Sequence, residues 1–314
     1  MRITAVLDGR HFVGLLLLHL ISVSLVFGQD WSSSAQPELA PLSADYQAYV
    51  SRARLGAPTI TKTDDGHTLG YIPAPFDLPA LNKKAAGTVQ LMGTLPATFD
   101  LRPLGKVPPV RDQGGCGACW AFSNMDSLES SLLPGESWDF SENGLKDSLG
   151  STCCLGGNRY NATAYFVAWR GPVPEALDPY NDGSCSSPSG LAPSKKITEA
   201  LFIPNRSGPL DNDTLKQAVM TYGSVATTMF WTSTSYNSST YAFYGSITSA
   251  NHGVNIVGWD DNFDKSKFLA SPPGNGAFLI RNSWGASWGD HGYFYMPYAY
   301  VTPDRVPDLW TATV

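Results

Sequence analysis

The cysteines constrain this sequence more than any other residue type. All five lie between positions 116 and 185 of a 314-residue chain, and their number is odd. Cys116 and Cys119 are separated by two small residues in the stretch QGGCGACWAF, Gln113 to Phe122. In an oxidising compartment four cysteines can form two disulfide bonds, and one thiol is then left over. That left-over thiol needs a chemical role.

The first 28 residues indicate the compartment. Arg2 and Arg10 precede the apolar run FVGLLLLHLISVSLVFG, Phe12 to Gly28. A positive flank, a short apolar core and a small residue at the cleavage point are typical of a secretory signal peptide. The alternative, an uncleaved anchor, is disfavoured because the run is short and His19 interrupts it. We therefore expect residues 1–28 to be a signal peptide and the mature protein to be secreted, or lysosomal or vacuolar in a eukaryote, without membrane attachment.

Charge and size exclude one class of partner. The formal net charge is −6 and the pI is near 5.3, and no Lys/Arg-rich run occurs. Such a chain has no basic field to gather phosphates, so nucleic acid is not expected to bind. A hydrophobic content of 43% is ample for a buried core, and the chain is expected to be globular.

Residues 29–95 differ from the rest of the chain in composition. They are rich in Ser, Ala, Pro and Thr, with short apolar clusters such as LGYIPAPFDLPAL, Leu69 to Leu81. This composition predicts a loosely structured leader. It is either a plain linker or a pro-segment that covers a site until it is removed.

From about Pro96 the sequence shows regular periodicity. Apolar side chains recur at helical spacing after Cys119, which predicts a core-facing helix that Pro134 stops. Further helices are predicted after Ser141, over Asn161–Arg170 and over Asp213–Tyr222. Strands are predicted for SVATTMF from Ser224, VNIVGW from Val254, AFLIRNSW from Ala277 and GYFYMPY from Gly292. Helices first and strands second indicate an α+β arrangement with two lobes.

Cys116 and Cys119 form a C-x-x-C pair, for which a redox site and a zinc site are alternatives. A thioredoxin-type site needs a βαβ setting, which is not predicted, and here the tryptophan follows the pair instead of preceding it. Zinc needs two more ligands at close spacing, and the adjacent Cys153 and Cys154 cannot easily both reach one metal. The favoured interpretation is a nucleophilic cysteine beside a structural one, with no metal.

The stretch CGACW, Cys116 to Trp120, resembles the local signature of the papain family of cysteine proteases at every position. The resemblance extends from about Leu95 to Tyr300, and phrases such as VGWDDNF look closest to bacterial and archaeal members. It implies that Cys119 is the nucleophile and that Cys116 is a disulfide partner. The resemblance also implies a papain-like fold, with a helical N-terminal lobe, a β-barrel-like C-terminal lobe and the active-site cleft between them.

The other catalytic residues follow in the order that the family shows. A thiolate needs a nearby positive charge, which a helix N-terminus and a histidine can supply. Only His252 opens a predicted strand, at the separation from Cys119 that is typical of the family. Asn282, in RNSWG, would orient the His252 ring, and Gln113 would donate to the oxyanion with the backbone amide of Cys119. Trp284 would shield the bond between Asn282 and His252 from water.

Substrate contacts are implied around the segment CLGG, Cys154 to Gly157. Glycines there would let an extended peptide approach and pair with the backbone, chiefly at Gly157. Asn158 and Arg159 stand where plant and lysosomal members have an aromatic residue and a proline, so a preference for bulky apolar side chains is not carried over. The expected peptide-binding residues are Gly117, Gly156, Gly157, Asn251 and Trp284.

The resemblance also implies a disulfide pattern with one substitution. Cys154 would pair with Cys116, as in the family. Ser148 stands where the family has the partner of Cys185, and Cys153 can replace that partner. This pairing would leave Cys119 as the single free thiol.

The sequence therefore predicts a secreted cysteine endopeptidase that acts through a thioester acyl-enzyme. The expected domains are a signal peptide over 1–28, a pro-segment or leader over 29–95 and a peptidase domain over 96–314. The enzyme is expected to be a monomer without a cofactor, to act on peptide or protein substrates, and to be inhibited by its own pro-segment. The alternatives are an exopeptidase of the same fold, a peptide-binding protein without activity, and a transpeptidase.

Overall fold

The structure is a computed structural model that describes residues 62–74, 93–203, 206, 208–245, 249–300 and 310–313, with positions 44 and 47. The chain divides after Ala44 into two units, and the architecture below belongs to the second, Asp45–Val314. The predicted signal peptide lies outside the described residues, as does most of the predicted leader.

Four α-helices have both ends within the described residues, and local signals fix most of these ends. They are α1 (Cys119–Leu132), α2 (Glu142–Asp147), α3 (Arg159–Val167) and α4 (Asp213–Tyr222), with 3-10 turns at Gly150–Thr152, Glu175–Leu177, Ser233–Ser235, Lys265–Lys267 and Tyr298–Tyr300. Ser141 caps α2, since its side chain accepts from the amide of Gly144. Gly223 ends α4 with a φ of 98°, a conformation that favours glycine. Helix α3 begins two residues before the predicted start because Asn158 caps it.

The described strands form one sheet. They are β1 (Thr98–Asp100), β2 (Glu199–Phe202), β3 (Val225–Met229), β4 (Tyr236–Asn237), β5 (Ala242–Phe243), β6 (His252–Asp260), β7 (Ala277–Arg281), β8 (Tyr293–Pro297) and β9 (Trp310–Thr313). Their order is β2-β9-β3-β6-β7-β8-β5-β4, and β1 pairs with β6. Most pairs are antiparallel, and β5 with β8 is parallel. The end strands β2 and β4 do not pair with each other in this order, so the sheet formed by the described strands is open.

Helix α1 lies at the centre of the molecule. It packs against α2 and α3 on one side and against β3, β6 and β9 on the other. All of its residues from Cys119 to Ser130 are therefore buried, including acidic ones. Asp126 forms an ion pair with Arg281 of β7, and Glu129 forms one with Arg111 at 3.0 Å. Buried carboxylates require such partners, so these pairs join α1 to its surroundings.

Two apolar clusters lie on either side of this helix. The cluster of the first lobe includes Trp120, Phe140 and Phe166. The cluster of the second lobe lies between α4 and the sheet and includes Val219 and Ile256. Two cores, one mainly helical and one sheet-based, confirm the predicted α+β arrangement with two lobes. Within the part of the chain that is described, no helix has the length and apolar character needed to span a bilayer.

Candidate active site

Cys119 is the first residue of α1, and its thiol is completely buried. The backbone amide of Gly253 donates to Sγ at 3.3 Å. Gly253 directly follows His252, so the sulfur of the first lobe contacts the backbone next to the histidine that opens β6 in the second lobe. Burial raises the pKa of the Cys119 thiol to about 12, and backbone amides, first that of Gly253 and then that of Gly70, counteract part of this shift.

His252 is held in one tautomer by Asn282. Its Nε2 lies 2.8 Å from Oδ1 of Asn282, and the same oxygen accepts from the amide of Ser283 at 2.8 Å. The Ser283 amide can donate only to an oxygen, so the Asn282 atom at this position is Oδ1, which carries no hydrogen. Oδ1 must therefore accept from the His252 ring, and Nε2 carries the proton. Nδ1 is then the basic nitrogen, and it is buried with no hydrogen-bond partner among the described residues. Burial lowers the pKa of His252 to about 4.

Tryptophans cover the bond between His252 and Asn282. The Trp284 ring stacks on the His252 ring with centroids 4.6 Å apart. Trp231 and Trp288 meet Trp284 edge-on at 4.9 and 5.0 Å. A hydrogen bond under such a cover is shielded from water and strengthened by the low local dielectric.

Gln113 presents its side-chain amide to the same space. Ser283 donates through Oγ to Oε1 at 2.7 Å, which leaves the NH₂ group of Gln113 facing the cleft. Nε2 donates to the backbone oxygen of Cys116 at 3.0 Å. The backbone of Gln113 is fixed by Ser283 and by Tyr180, whose hydroxyl donates to the Gln113 carbonyl at 2.8 Å. Gln113 is therefore a rigidly held hydrogen-bond donor.

The structure pairs Cys116 with Cys154 and Cys153 with Cys185. Cys119 is the remaining cysteine, and it is free. The two disulfides tie the loop before α1 to the segment after α2 and to the loop after Tyr180. The first of them holds the backbone three residues before the thiol.

Two groups of side chains have potential metal-ligating atoms close together in the described residues. They are Cys116 with Cys153 and Cys154, and Asp147 with Cys153 and Cys185. All of these cysteines are held in disulfide bonds, and metals bind the thiolate form. These donor sets do not fit a resident metal ion.

Residues 95–301 match the sequence family described as papain family cysteine protease, and this range is more than half of the chain. The chain belongs to the papain family. The match confirms the resemblance that the motifs indicated, over nearly the same residues.

Papain-family relatives come from animals, plants and bacteria. Cathepsin 7 of Rattus norvegicus is 31% identical over 221 residues, which are 65% of this chain and 61% of the relative. Cathepsin S of Mus musculus is 34% identical over 215 residues, which are 65% of this chain and 59% of the relative. The solved cysteine protease and lectin-like domains of Cwp84, a surface layer associated protein of Clostridium difficile, are 28% identical with a TM-score of 0.63. That alignment covers 88% of this chain and 60% of the Cwp84 chain. The chain spans about six tenths of the length of these relatives.

In this papain-family chain, part of the leader lies in the cleft. The carbonyl of Thr68 accepts from Nε2 of Gln113 at 2.9 Å and from Nε1 of Trp284 at 3.3 Å. Leu69 packs in the cluster of the second lobe, whereas Tyr71 packs in that of the first. Both side chains are buried. The leader segment 62–74 is thus an ordered part of the site, although its composition predicts loose structure.

The residues predicted to bind peptide surround this leader segment. Gly157 pairs with Tyr71 in a parallel bridge, with its amide donating to Gly70 and its carbonyl accepting from Ile72. The Asn251 carbonyl accepts from the amides of Gly70 and Tyr71 at 3.2 and 3.0 Å. Gly117 and Gly156 border Gly70 so closely that a Cβ on either would meet leader backbone atoms. Trp284 completes the set through its bond to Thr68.

Gly70 passes directly over the nucleophile. Its backbone amide is one of the groups that stabilise negative charge on the Cys119 sulfur. A Cβ on Gly70 would lie 2.1 Å from the carbonyl oxygen of Gly117, so only glycine fits this approach. The leader backbone at Gly70 therefore lies close to the sulfur, and its amide also donates to the Asn251 carbonyl at 3.2 Å.

Sequence reasoning missed two residues at this site. His67 belongs to the leader, and its ring stacks on Trp284 with centroids 4.8 Å apart. Asn158, known from the sequence only as a departure from the family pattern, donates through Nδ2 to the carbonyl of Ile72 at 3.0 Å. The apolar cluster that begins at Leu69 is the sequence signal that could have located the leader in the cleft.

Proposed function

We propose that this chain is a secreted cysteine endopeptidase, made as a precursor whose leader occupies the active-site cleft. The observation that carries the proposal is the free thiol of Cys119 at the Gly253 amide, next in sequence to His252, whose tautomer Asn282 fixes. Membership of the papain family supports cysteine-type peptidase activity. The predicted signal segment, residues 1–28, is the basis for proposing secretion.

The proposed reaction starts with proton transfer from the Cys119 thiol to Nδ1 of His252. The N-terminus of α1 and the imidazolium then stabilise the thiolate, which attacks the scissile carbonyl. His252 gives its proton to the leaving amine, and a thioester to Cys119 remains. Water, with His252 as base, hydrolyses this acyl-enzyme and restores the thiol.

Gln113 is the proposed oxyanion donor. Its Nε2 already binds a carbonyl oxygen, that of Thr68, within the cleft. In the reaction it would donate to the oxygen of the tetrahedral intermediate together with the backbone amide of Cys119. Ser283 keeps the amide in the donating orientation, so no reorganisation is needed as charge develops.

The course of the leader supports endopeptidase rather than exopeptidase activity. The leader contacts cleft residues from Thr68 to Ile72, and the described leader continues beyond both of these residues, over 62–67 and over 73–74. A cleft that holds such a segment can hold a peptide bond in the interior of a substrate chain. An exopeptidase would need one end of the cleft to be closed.

We further propose that residues 29–95 are an inhibitory pro-segment. The segment 62–74 blocks the thiol, and the desolvation it contributes disfavours the charged forms of Cys119 and His252. Both groups are neutral at pH 7 under these conditions, since the thiol pKa lies far above 7 and the imidazole pKa lies below it. The covered site is therefore unreactive as well as inaccessible.

A peptide library tests this function. The full chain is expressed, the leader is removed by processing, and the products of defined peptides are identified by mass spectrometry. Internal cleavage that Cys119→Ala abolishes is expected. Removal of terminal residues alone would point to the exopeptidase, binding without turnover to the non-hydrolytic protein, and ligated products to the transpeptidase. N-terminal sequencing of exported protein tests secretion and locates the processing point.

A further inference from the structure

Asn158 combines two hydrogen-bonding roles at the edge of the cleft. It is the N-cap of α3, and its side chain is only 3% exposed. Oδ1 accepts from the amides of Tyr160 and Asn161 at 3.0 and 3.4 Å. Because a helix N-terminus offers only N–H groups, the cap requires the oxygen on that side. The NH₂ group is thereby directed to the opposite side, into the cleft.

The Nδ2 bond of Asn158 continues a ladder of main-chain contacts. The ladder begins with the Gly157 amide, which donates to the Gly70 carbonyl at 3.0 Å, and continues with the Ile72 amide, which donates to the Gly157 carbonyl at 2.9 Å. Asn158 then donates to the Ile72 carbonyl at 3.0 Å. All the bonded leader atoms are backbone atoms, so this ladder recognises an extended chain whatever its side chains are.

We propose that Asn158 is a binding residue for an extended peptide that runs parallel to Gly157, and that its natural ligand is the leader. This proposal rests on the proposed inhibitory role of the leader. The helix cap orients the donor in advance, so little side-chain freedom is lost when the peptide binds. The bond from Asn158 to the Ile72 carbonyl is the third hydrogen bond of this ladder. It lies two residues beyond Gly70 and helps to hold the leader over the thiol.

The opening of the leader can be measured in the full chain. Cys119 is the one free cysteine and is buried beneath the leader, so alkylation by iodoacetamide without reductant requires the leader to open. The labelling rate then reports the fraction of molecules with an open cleft. This readout needs no catalysis, so it remains valid if the protein does not cleave peptides.

Two substitutions separate the donor from the cap. Asn158→Ser and Asn158→Asp keep good N-cap acceptors but remove the NH₂ group. One net hydrogen bond corresponds to about 0.5–1.5 kcal/mol, so labelling is expected to rise about two- to tenfold with Asn158→Ser. A larger rise is expected with Asn158→Asp, because its carboxylate would face the Ile72 carbonyl oxygen.

Asn161→Ala is the matched control. The Asn161 side chain accepts from the Asn158 amide and completes the capping box, and it makes no bond to the described leader residues 62–74. This variant is expected to lower the melting temperature while the labelling rate stays within about twofold of wild type. Unchanged labelling in both Asn158 variants would overturn the proposal, as would an equal rise in Asn161→Ala. A lack of peptide cleavage by the processed enzyme would instead count against the proposed function alone.

Discussion

Gln113 donates its side-chain amide to the backbone carbonyl of Thr68 at 2.9 Å, within the proposed catalytic centre. The leader therefore occupies the donor that we propose for the oxyanion. Two residues further on, the Gly70 amide donates to the Asn251 carbonyl at 3.2 Å and lowers the pKa of the Cys119 thiol against the larger effect of burial. A segment placed in this way occupies hydrogen-bonding groups of the cleft that a substrate peptide would otherwise use.

Substitution of Gly70 by alanine is expected to open the cleft. The new Cβ would lie 2.1 Å from the Gly117 carbonyl oxygen, a backbone atom that cannot easily move. Overpacking of this kind costs about 1–3 kcal/mol, so alkylation of Cys119 should rise about five- to hundredfold. Gly208→Ala is the control, because a Cβ there meets open space. Equal labelling rates in the two variants would contradict the seating of Gly70 over the thiol.

Substitution of Gln113 by alanine is expected to reduce turnover by the processed enzyme more than binding. Loss of one oxyanion donor lowers kcat by about 10²–10³. Ser283→Ala should have a smaller effect of the same kind, because Ser283 only orients the Gln113 amide. Steady-state kinetics on a short peptide checks both variants. A rise in KM with unchanged kcat would assign Gln113 to ground-state binding instead.

Substitution of Asn282 by alanine is expected to lower kcat by about 10² or more, since general acid–base catalysis needs the correct tautomer of His252. The variant loses the oxygen that holds the Nε2 proton. Asn255→Ala is a suitable control: Asn255 lies in β6 and donates to the Ser123 carbonyl at 2.9 Å. It should lower the melting temperature but leave the kcat of the folded enzyme nearly unchanged. Similar kcat losses in both variants would show that Asn282 acts only through stability.

Stability is expected to fall with rising pH because of Glu142. Burial, together with Glu129 and Asp126, raises its pKa to about 8 against the opposing effect of Arg111. The folded protein keeps a proton that the unfolded chain releases near pH 4.5, so this contribution is complete below that pH and is lost as pH rises towards 8.

Urea unfolding at pH 5 and pH 8 measures this effect. The midpoint should fall between the two values in the wild type and fall less in Glu142→Gln. Some dependence should remain, because burial also raises the pKa of Glu129 to about 7. Glu136→Gln is the control, since Glu136 is solvent-exposed and pairs with Lys195. An unchanged pH dependence in Glu142→Gln would rule out the raised pKa of Glu142.

Local sequence signals predicted most of the fold. Helix α4 runs from Asp213 to Tyr222 as expected, because apolar spacing and a terminal glycine are properties of the segment itself. His252 opens strand β6 as expected, and the strand runs through the predicted segment from Val254 to end at Asp260. Strands β2 and β9 were not predicted. They pair with each other across more than a hundred residues, and their short segments carry no strong pattern.

The sequence by itself determined the family, the order of Cys119, His252 and Asn282 along the chain, and the α+β class. These properties follow from motifs of a few residues and from periodicity, which depend on near neighbours. Only the tertiary structure decided that the leader lies over the thiol and that Asn158 holds it. Both depend on close contact between two backbone segments that are far apart in the sequence, such as those at Gly70 and Gly117. Such contact follows from packing rather than from a local pattern.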